Sequence, residues 1–389
     1  MNTHLNTEPY GPPPKAAPAE IAGRVERLRS EMEHVSVDLM VLTSKANIEY
    51  FSGWRNGGDR TRPSLLLIGR SGVGLVAPRM YESLIGPMEF HCETHLYSGF
   101  VAESTEMALA AAQSIEGKAA KIGLDYGQDH AGAGSLPLVE GLARNASVVE
   151  AGNIIWNVRV IKSAFELQLI RASLDIANRA FDNVLRCARP GVSEISLYHE
   201  LQFELIKNGA DKIEPFPVIF GRNSFAYARK PTERRLEIGD YIWTDFYHSY
   251  GSYAADRNRI ARAGVPSAIE QDTYTAVRHV THEVCRSIRA GSTCGDAYEL
   301  FANLWKSAGL TKPFGAGRIG HGSGLDFTEP PSIAPSSTEV IKPGMVLHVE
   351  PKLESEHGVF QFEEVICVGA DKNEFLSVLS PAELPVIAT

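Results

Sequence analysis

The chain has little of what marks several broad classes of protein. Its five cysteines, Cys92, Cys187, Cys285, Cys294 and Cys367, are scattered through 389 residues and never fall in a CxxC spacing. That excludes a zinc knuckle and a disulfide framework, and it reads as free thiols in a reducing compartment. Basic charge is also short: 38 Lys and Arg face 47 Asp and Glu, a formal net charge of −9. No basic patch interleaved with aromatics occurs, so nucleic acid is not an expected partner. No apolar run approaches the ~20 residues a membrane span needs. Residues 1–20 are polar and Pro-rich and lack the apolar centre of a secretory signal. These absences point to a cytoplasmic protein with no membrane partner, opening on a flexible arm over residues 1–20.

What is present is an ordinary globular composition, 44% apolar and 22% charged, with length enough for two cores. Residues 21–32 place Val25, Leu28 and Met32 on one helical face. Apolar strands follow at 38–43, 64–69, 72–78, 120–127 and 146–152, with an aromatic segment ending at Gly53 and an Ala-rich helix at 105–115. This α/β unit, residues 21–152, contains no clustered metal ligands. Residues 153–389 form the second expected domain. It opens on a long helix with Leu167, Ile170, Leu174 and Ala177 on one face. A further helix runs from an N-cap at Ser193 to a stop at Gly209. Strands come next, and then the order repeats after Pro266: a helix bearing Val277, Val280, Val284 and Ile288, a second opened by Asp296 with Glu299, and strands again. Two helices then strands, twice over, implies two related halves whose polar groups meet in the middle.

The chemistry begins in the segment 239–259. Asp245 and Asp256 lie in a β-rich aromatic stretch with Gly251 between them, and a turn near 249–252 brings both carboxylates to one place. Two acids converging in an apolar setting repel each other unless a cation sits between them. The second half supplies further ligand types: His321 between glycines in IGHGSG, Glu350 at the end of VLHVEP, and Glu363 in FQFEEV. Any one of these alone reads as a satisfied buried polar group. Jointly, four carboxylates and one imidazole on β-segments around one core call for metal. Mostly oxygen ligands with one histidine suit a pair of divalent ions, Mn, Co, Fe or Zn, better than a lone structural zinc.

At these residues the sequence resembles the creatinase/prolidase/methionine aminopeptidase family, whose ligands run Asp, Asp, His, Glu, Glu. They match GDYIWTDF (Asp245), SYAADRNR (Asp256), GHGSGL (His321), GMVLHVEP (Glu350) and FEEV (Glu363). RVERLRSEM and VDLMVLTSKANIEYFSGW look like the amino-terminal domain of the prolidase and creatinase branch, and VRVIKSAFELQLIRAS like its interdomain helix. The resemblance implies an α/β (α+β) protein: a pita-bread catalytic domain with pseudo-twofold halves, preceded by a smaller creatinase-like domain. It also implies that Asp256 and Glu363 bridge two metals, that Asp245 chelates one, and that His321 and Glu350 hold the other. A homodimer is implied as well, with the partner's amino-terminal domain near the active site and the loop 54–62 closing the neighbour's site.

The sequence departs from the peptidase members at three places. Ala228 and Thr328 stand where they carry histidines, and Gln361 where they usually carry Arg. The ligands are kept while groups that position a peptide and shuttle protons are not. His348 shares a strand face with Glu350, and Gln361 with Glu363. His348 is therefore a candidate replacement acid/base or extra ligand, against the plainer reading of a histidine hydrogen-bonded behind a ligand. His248, near the expected turn, reads as exposed. Arg222, Arg229, Arg257 and Arg318 flank the site segments and are candidates to bind a substrate carboxylate, or else structural ion pairs. GAGRIG (315–320) matches GxGxxG formally but joins no strand to a helix in a βαβ unit, so dinucleotide binding is rejected.

The leading expectation is a dinuclear metal-dependent hydrolase. A metal-bridging hydroxide would attack the carbonyl of a small amide-like or dipeptide substrate, with Glu350 passing the proton onward. A standard Xaa-Pro dipeptidase or aminopeptidase is a second reading. A lyase resembling the dimethylsulfoniopropionate lyases is a third, set back by Trp243 where that branch has an Asp. A non-catalytic binding module is the fourth, set back by the complete ligand set.

Overall fold

The computed structural model describes residues 8–55, 59–86, 88–127, 134–222, 229–311, 313 and 317–388. Ala228, the centre of the 54–62 loop and part of GAGRIG lie outside the described residues. The chain divides into two units, Lys15–Arg159 and Met1–Pro14 with Val160–Thr389.

The Lys15–Arg159 unit is built on a six-stranded mixed sheet, in the order Glu93–Tyr97, Val73–Pro78, Leu65–Gly69, Leu39–Leu42, Lys121–Leu124, Ser147–Glu150. Leu39, Val41, Leu65, Leu67 and Val76 are buried because both sheet faces are covered, which is why these strands read as continuous apolar runs. The helix Pro18–His34 buries Ile21, Val25, Leu28 and Met32, with Pro18 in its first turn, where a missing N–H costs nothing. The aromatic segment before Gly53 is a helix, Lys45–Ser52. Its signals were Ser44, which caps the Asn47 N–H, and Gly53, left-handed at φ 73°. Buried Asp125 pins the helix start by accepting from Thr43 N, Thr43 Oγ1, Ser44 N and Asn47 Nδ2 at 2.7–3.0 Å.

The other unit shows the repeated order of elements. Helices Ala164–Cys187 and Glu194–Asn208 precede one sheet, and helices Ala268–Ser287 and Cys294–Ser307 precede the second. Ser193 and Gly209 cap as expected. The last helix starts earlier than expected, because Thr293 is the cap and Asp296 its reciprocal partner. The helix Ala164–Cys187 buries Leu169, Ile170, Leu174 and Phe181 in a core with Ile242, Phe246 and Tyr250 of the first sheet. Burying each such side chain stabilises by about 1.5–3 kcal/mol. The even-numbered residues of Tyr241–Tyr250 thus face the helices, which leaves the odd-numbered ones on the opposite face. Of the segment expected to be a flexible arm, residues 8–14 belong to this unit: Tyr10 N donates to Asn208 O, and Tyr10 Oη to Asp175 Oδ2 at 3.0 Å.

Candidate metal centre

The strands Tyr241–Tyr250 and Tyr253–Ala263 form one long hairpin. Its turn residues, Gly251 and Ser252, both have positive φ, 63° and 67°, which matches the right-handed twist of the paired strands. The register sets Asp256 opposite Tyr247 and Asn258 opposite Asp245. Asp245 and Asp256 are therefore diagonal neighbours on one face. Their carboxyls share a hydrogen bond.

The second sheet brings the remaining groups. His321 lies directly opposite His348 on the paired strands Gly320–Gly322 and Val346–Val349. The glycines beside His321 are required by this packing: a Cβ at Gly320 would meet His348 O at 2.0 Å, and one at Gly322 would meet Pro330 O at 2.2 Å. Glu350 and Glu363 each sit one residue outside a strand, after Val349 and before Glu364. Both were expected within strands.

Asp256, His321 and Glu363 each offer one ligand atom, all within 4.8 Å of one another. The His321 Nε2 lies 3.4 Å from Glu350 Oε1 and 3.7 Å from Asp256 Oδ2. Its Nδ1 is 2.9 Å from the Gly322 carbonyl, so Nδ1 carries a proton and Nε2 is the ring nitrogen turned toward the acids. The Glu363 carboxylate accepts from the Asn258 N–H at 2.8 Å and from His348 Nδ1. Gln361 Nε2 donates to Glu350 Oε2 at 3.3 Å, and Gln361 Oε1 accepts from Trp243 Nε1 at 3.0 Å. The five expected ligands thus converge, His348 touches Glu363 rather than Glu350, and Gln361 holds Glu350.

Electrostatics follow from burial and crowding. Burial, then Glu363, Asp245 and Glu350, raise the Asp256 carboxyl far above its ordinary range. Burial works against the His321 cation, yet the Glu350 and Glu363 carboxylates hold its pKa above the usual value. Burial also pushes Glu363 up, but His348, His321 and the Asn258 N–H together outweigh it and the net shift is downward. Asp256 Oδ1 is buried with no hydrogen-bond partner among the described residues. An orphaned carboxylate oxygen amid three further acids and an imidazole lone pair fits a divalent cation, which would satisfy it and cancel the repulsion.

Several site residues escaped the sequence reading. Tyr247 shares the ligand face, packs at a tilt against Phe327 with ring centroids 5.1 Å apart, and has its phenol pushed up by burial and by Asp245, Asp256, Glu363 and Glu350. Lys352 lies buried over the Trp243 ring at 4.5 Å, beside Glu354, and burial lowers its pKa. The period of two counted from Asp245 was the signal for both Trp243 and Tyr247.

His248 is fully buried rather than exposed, because it lies within the strand, three residues before Gly251, and on the helix-facing side. Arg229 is taken up by Glu194, through Nη1 at 2.8 Å and Nη2 at 2.5 Å. Arg257 is buried and donates to the Glu363 carbonyl at 2.7 Å and to Asn178 Oδ1 at 3.0 Å. Arg222 donates to the Ile238 carbonyl. Among the described residues no helix is long and apolar enough to cross a membrane.

Residues 168–370 match metallopeptidase family M24, and residues 24–161 match the creatinase/prolidase N-terminal domain. The uncharacterized peptidase YqhT of Bacillus subtilis is 26% identical over 368 residues, covering 94% of this chain and all of that protein. An Xaa-Pro dipeptidase of Pyrococcus horikoshii is 23% identical, covering 84% of this chain and 89% of its own length. Among solved structures, an Xaa-Pro dipeptidase from Bacillus anthracis superposes with a TM-score of 0.82 at 26% identity, over 94% of this chain and 99% of that one. Dipeptidase PepE from Mycobacterium ulcerans gives 0.83 at 20% identity over 97% and 100%, a likeness of fold. The chain belongs to metallopeptidase family M24, with a creatinase/prolidase N-terminal domain ahead of a pita-bread unit, and is by family a metal-dependent hydrolase.

Proposed function

We propose that the protein hydrolyses a C–N bond, amide or peptide, in a small molecule, using divalent metal held by Asp245, Asp256, His321, Glu350 and Glu363. The observation that carries this reading is the approach of Asp256, His321 and Glu363 to within 4.8 Å in a buried, acid-rich cluster. A divalent cation in such a set polarises a carbonyl and makes water a better nucleophile near neutral pH. The chain's own groups prepare the rest. His321 presents its Nε2 lone pair because Gly322 O fixes the tautomer. The Asn258 N–H and His348 Nδ1 occupy Glu363 and set its orientation. Glu350, held by Gln361 at one oxygen and facing His321 with the other, would take a proton from water and deliver it to the leaving nitrogen.

The dipeptidase names carried by relatives make dipeptides the first substrates to try. Thr328 and Gln361, at positions where peptidases carry His and Arg, make non-peptide amides the second. The test is to strip and reload the protein with Mn, Co, Fe or Zn, measure bound metal, and assay Xaa-Pro dipeptides, other dipeptides and simple amides. Turnover that stops with chelator and returns with metal is expected. Turnover undiminished in metal-stripped protein, or loaded protein inert on every C–N substrate, would sink the reading.

A further inference from the structure

Four arginines flank the site segments, and the structure separates them by what they touch. Arg229 is neutralised by Glu194, Arg257 is buried against main-chain oxygen, and Arg222 caps a carbonyl. Arg318 differs. Its Nη1 reaches Ser332 Oγ at 3.3 Å and its Nη2 reaches Thr328 Oγ1 at 3.4 Å. Both partners are neutral hydroxyls, and among the described residues no carboxylate lies within ion-pair distance of this guanidinium.

Its position relative to the acids is fixed by register. Ser332 is the cross-strand partner of His321, so its hydroxyl lies on the His321 side of the sheet and draws Arg318 there. Thr328 follows Phe327, whose ring packs on Tyr247, and Tyr247 stands opposite Asp256. Phe327 thus packs beside the ligand face through Tyr247, and the exposed Thr328 next to it in the chain holds the Arg318 guanidinium. The charge of Arg318 is felt at His321. Arg318 remains half-buried, which strengthens a charge-assisted hydrogen bond while leaving it reachable.

We propose that Arg318, oriented by Thr328 and Ser332, is the anion-recognition residue of this site, and that the substrate carries a carboxylate close to the bond that is cleaved, with its body against the Tyr247–Phe327 rings. A planar fork of donors matches a carboxylate in a way an ammonium does not. The inference rests on the hydrolase reading for the word substrate, but the binding it claims is measurable without turnover.

The experiment is calorimetric titration of the metal-loaded full chain with two acid–amide pairs, benzoate with benzamide and L-proline with L-prolinamide. The variants are Arg318→Ala, Arg318→Lys and Thr328→Val, with metal content measured in every sample. Wild type is expected to prefer each acid over its amide. Arg318→Ala is expected to lose roughly tenfold or more in acid affinity while leaving the amides unchanged, with Arg318→Lys and Thr328→Val in between. Acid affinity within about twofold of wild type in Arg318→Ala at equal metal content would overturn the proposal, as would a wild type that binds neither acid better than its amide. If acids bind through Arg318 but no C–N substrate is turned over, the hydrolase reading fails and this one stands. The proline arm against the benzoate arm separates an amino-acid carboxylate from a general organic acid.

Discussion

The Nδ1 of His348 hydrogen-bonds Glu363, and the same imidazole lies nearly parallel to that of His321, ring centroids 5.1 Å apart. One histidine thus orients a proposed ligand and packs against another. A group in this position acts on metal affinity, and such partners are typically worth tenfold to a hundredfold in binding. His348→Ala should therefore bind metal roughly ten to a hundred times more weakly by competition with a chelator. At saturating metal its kcat should return to within about threefold of wild type. A kcat still depressed by about a hundredfold or more at full occupancy would assign His348 acid–base work instead.

Gln361 joins Trp243 to Glu350 through its single amide. Truncating it in Gln361→Ala frees a carboxylate that is otherwise aimed at His321 and leaves the buried Trp243 Nε1 without this acceptor. A loss of about 1–3 kcal/mol in stability is expected, together with weaker metal binding. Gln361→Glu places a further acid in the cluster and should weaken the metal-free fold more than Gln361→Ala does. Thermal melts with and without metal check both. Equal melting of Gln361→Glu and wild type in chelator would count against the crowding account.

Much of this site was legible because its logic is periodic. Asp245 and Asp256 in an aromatic β-segment, with Gly251 between them, predict a hairpin that unites them, whereas the reason for Gly320 and Gly322, the closeness of the His348 and Pro330 carbonyls, lies in the packing of the neighbouring chain. What escaped depended on contacts between segments far apart in sequence. Nothing near His348 names Glu363 as its partner, since both strand ends stop one residue short of where an alternating pattern would continue. The helix at Lys45–Ser52 was hidden by its aromatic content, although Ser44 and Gly53 were both in view. His248 was misplaced because a turn expected at 249–252 is centred on its last two residues, leaving the histidine in the ladder.

His248 carries a pH dependence of folding. Complete burial lowers its pKa from 6.5 to about 4, with the Ser249 main chain and then the Asp211 carboxylate working the other way. The unfolded chain therefore binds a proton across the window from 6.5 down to about 4 that the folded chain refuses. Stability from this group is full above 6.5 and falls as pH drops, by up to about 3 kcal/mol near pH 4. Replacing it with a neutral residue of similar size, His248→Gln, should flatten that part of the urea-midpoint profile between pH 4 and 6.5. A profile as steep in the variant as in wild type would assign the acid sensitivity to other groups.

Asp256 is the last and most diagnostic position, because the same side chain should act in opposite directions with and without metal. In the metal-free protein its carboxyl is buried among Glu363, Asp245 and Glu350, a like-charge cluster that costs stability. Asp256→Asn removes one acid of nearly identical shape, so the metal-free variant should melt above metal-free wild type by about 1 kcal/mol or more of added stability. Metal reverses the order. Wild type gains about 2.7 kcal/mol when the ion stands at a hundred times its dissociation constant. The variant, with an amide in place of a proposed bridging carboxylate, should gain little. The crossing of the two melting temperatures on adding Mn is thus the expected result, and it requires no knowledge of the substrate. Parallel curves, with wild type above the variant in both conditions, would mean that Asp256 is an ordinary structural acid. The cluster would then owe its geometry to protonation rather than to a cation.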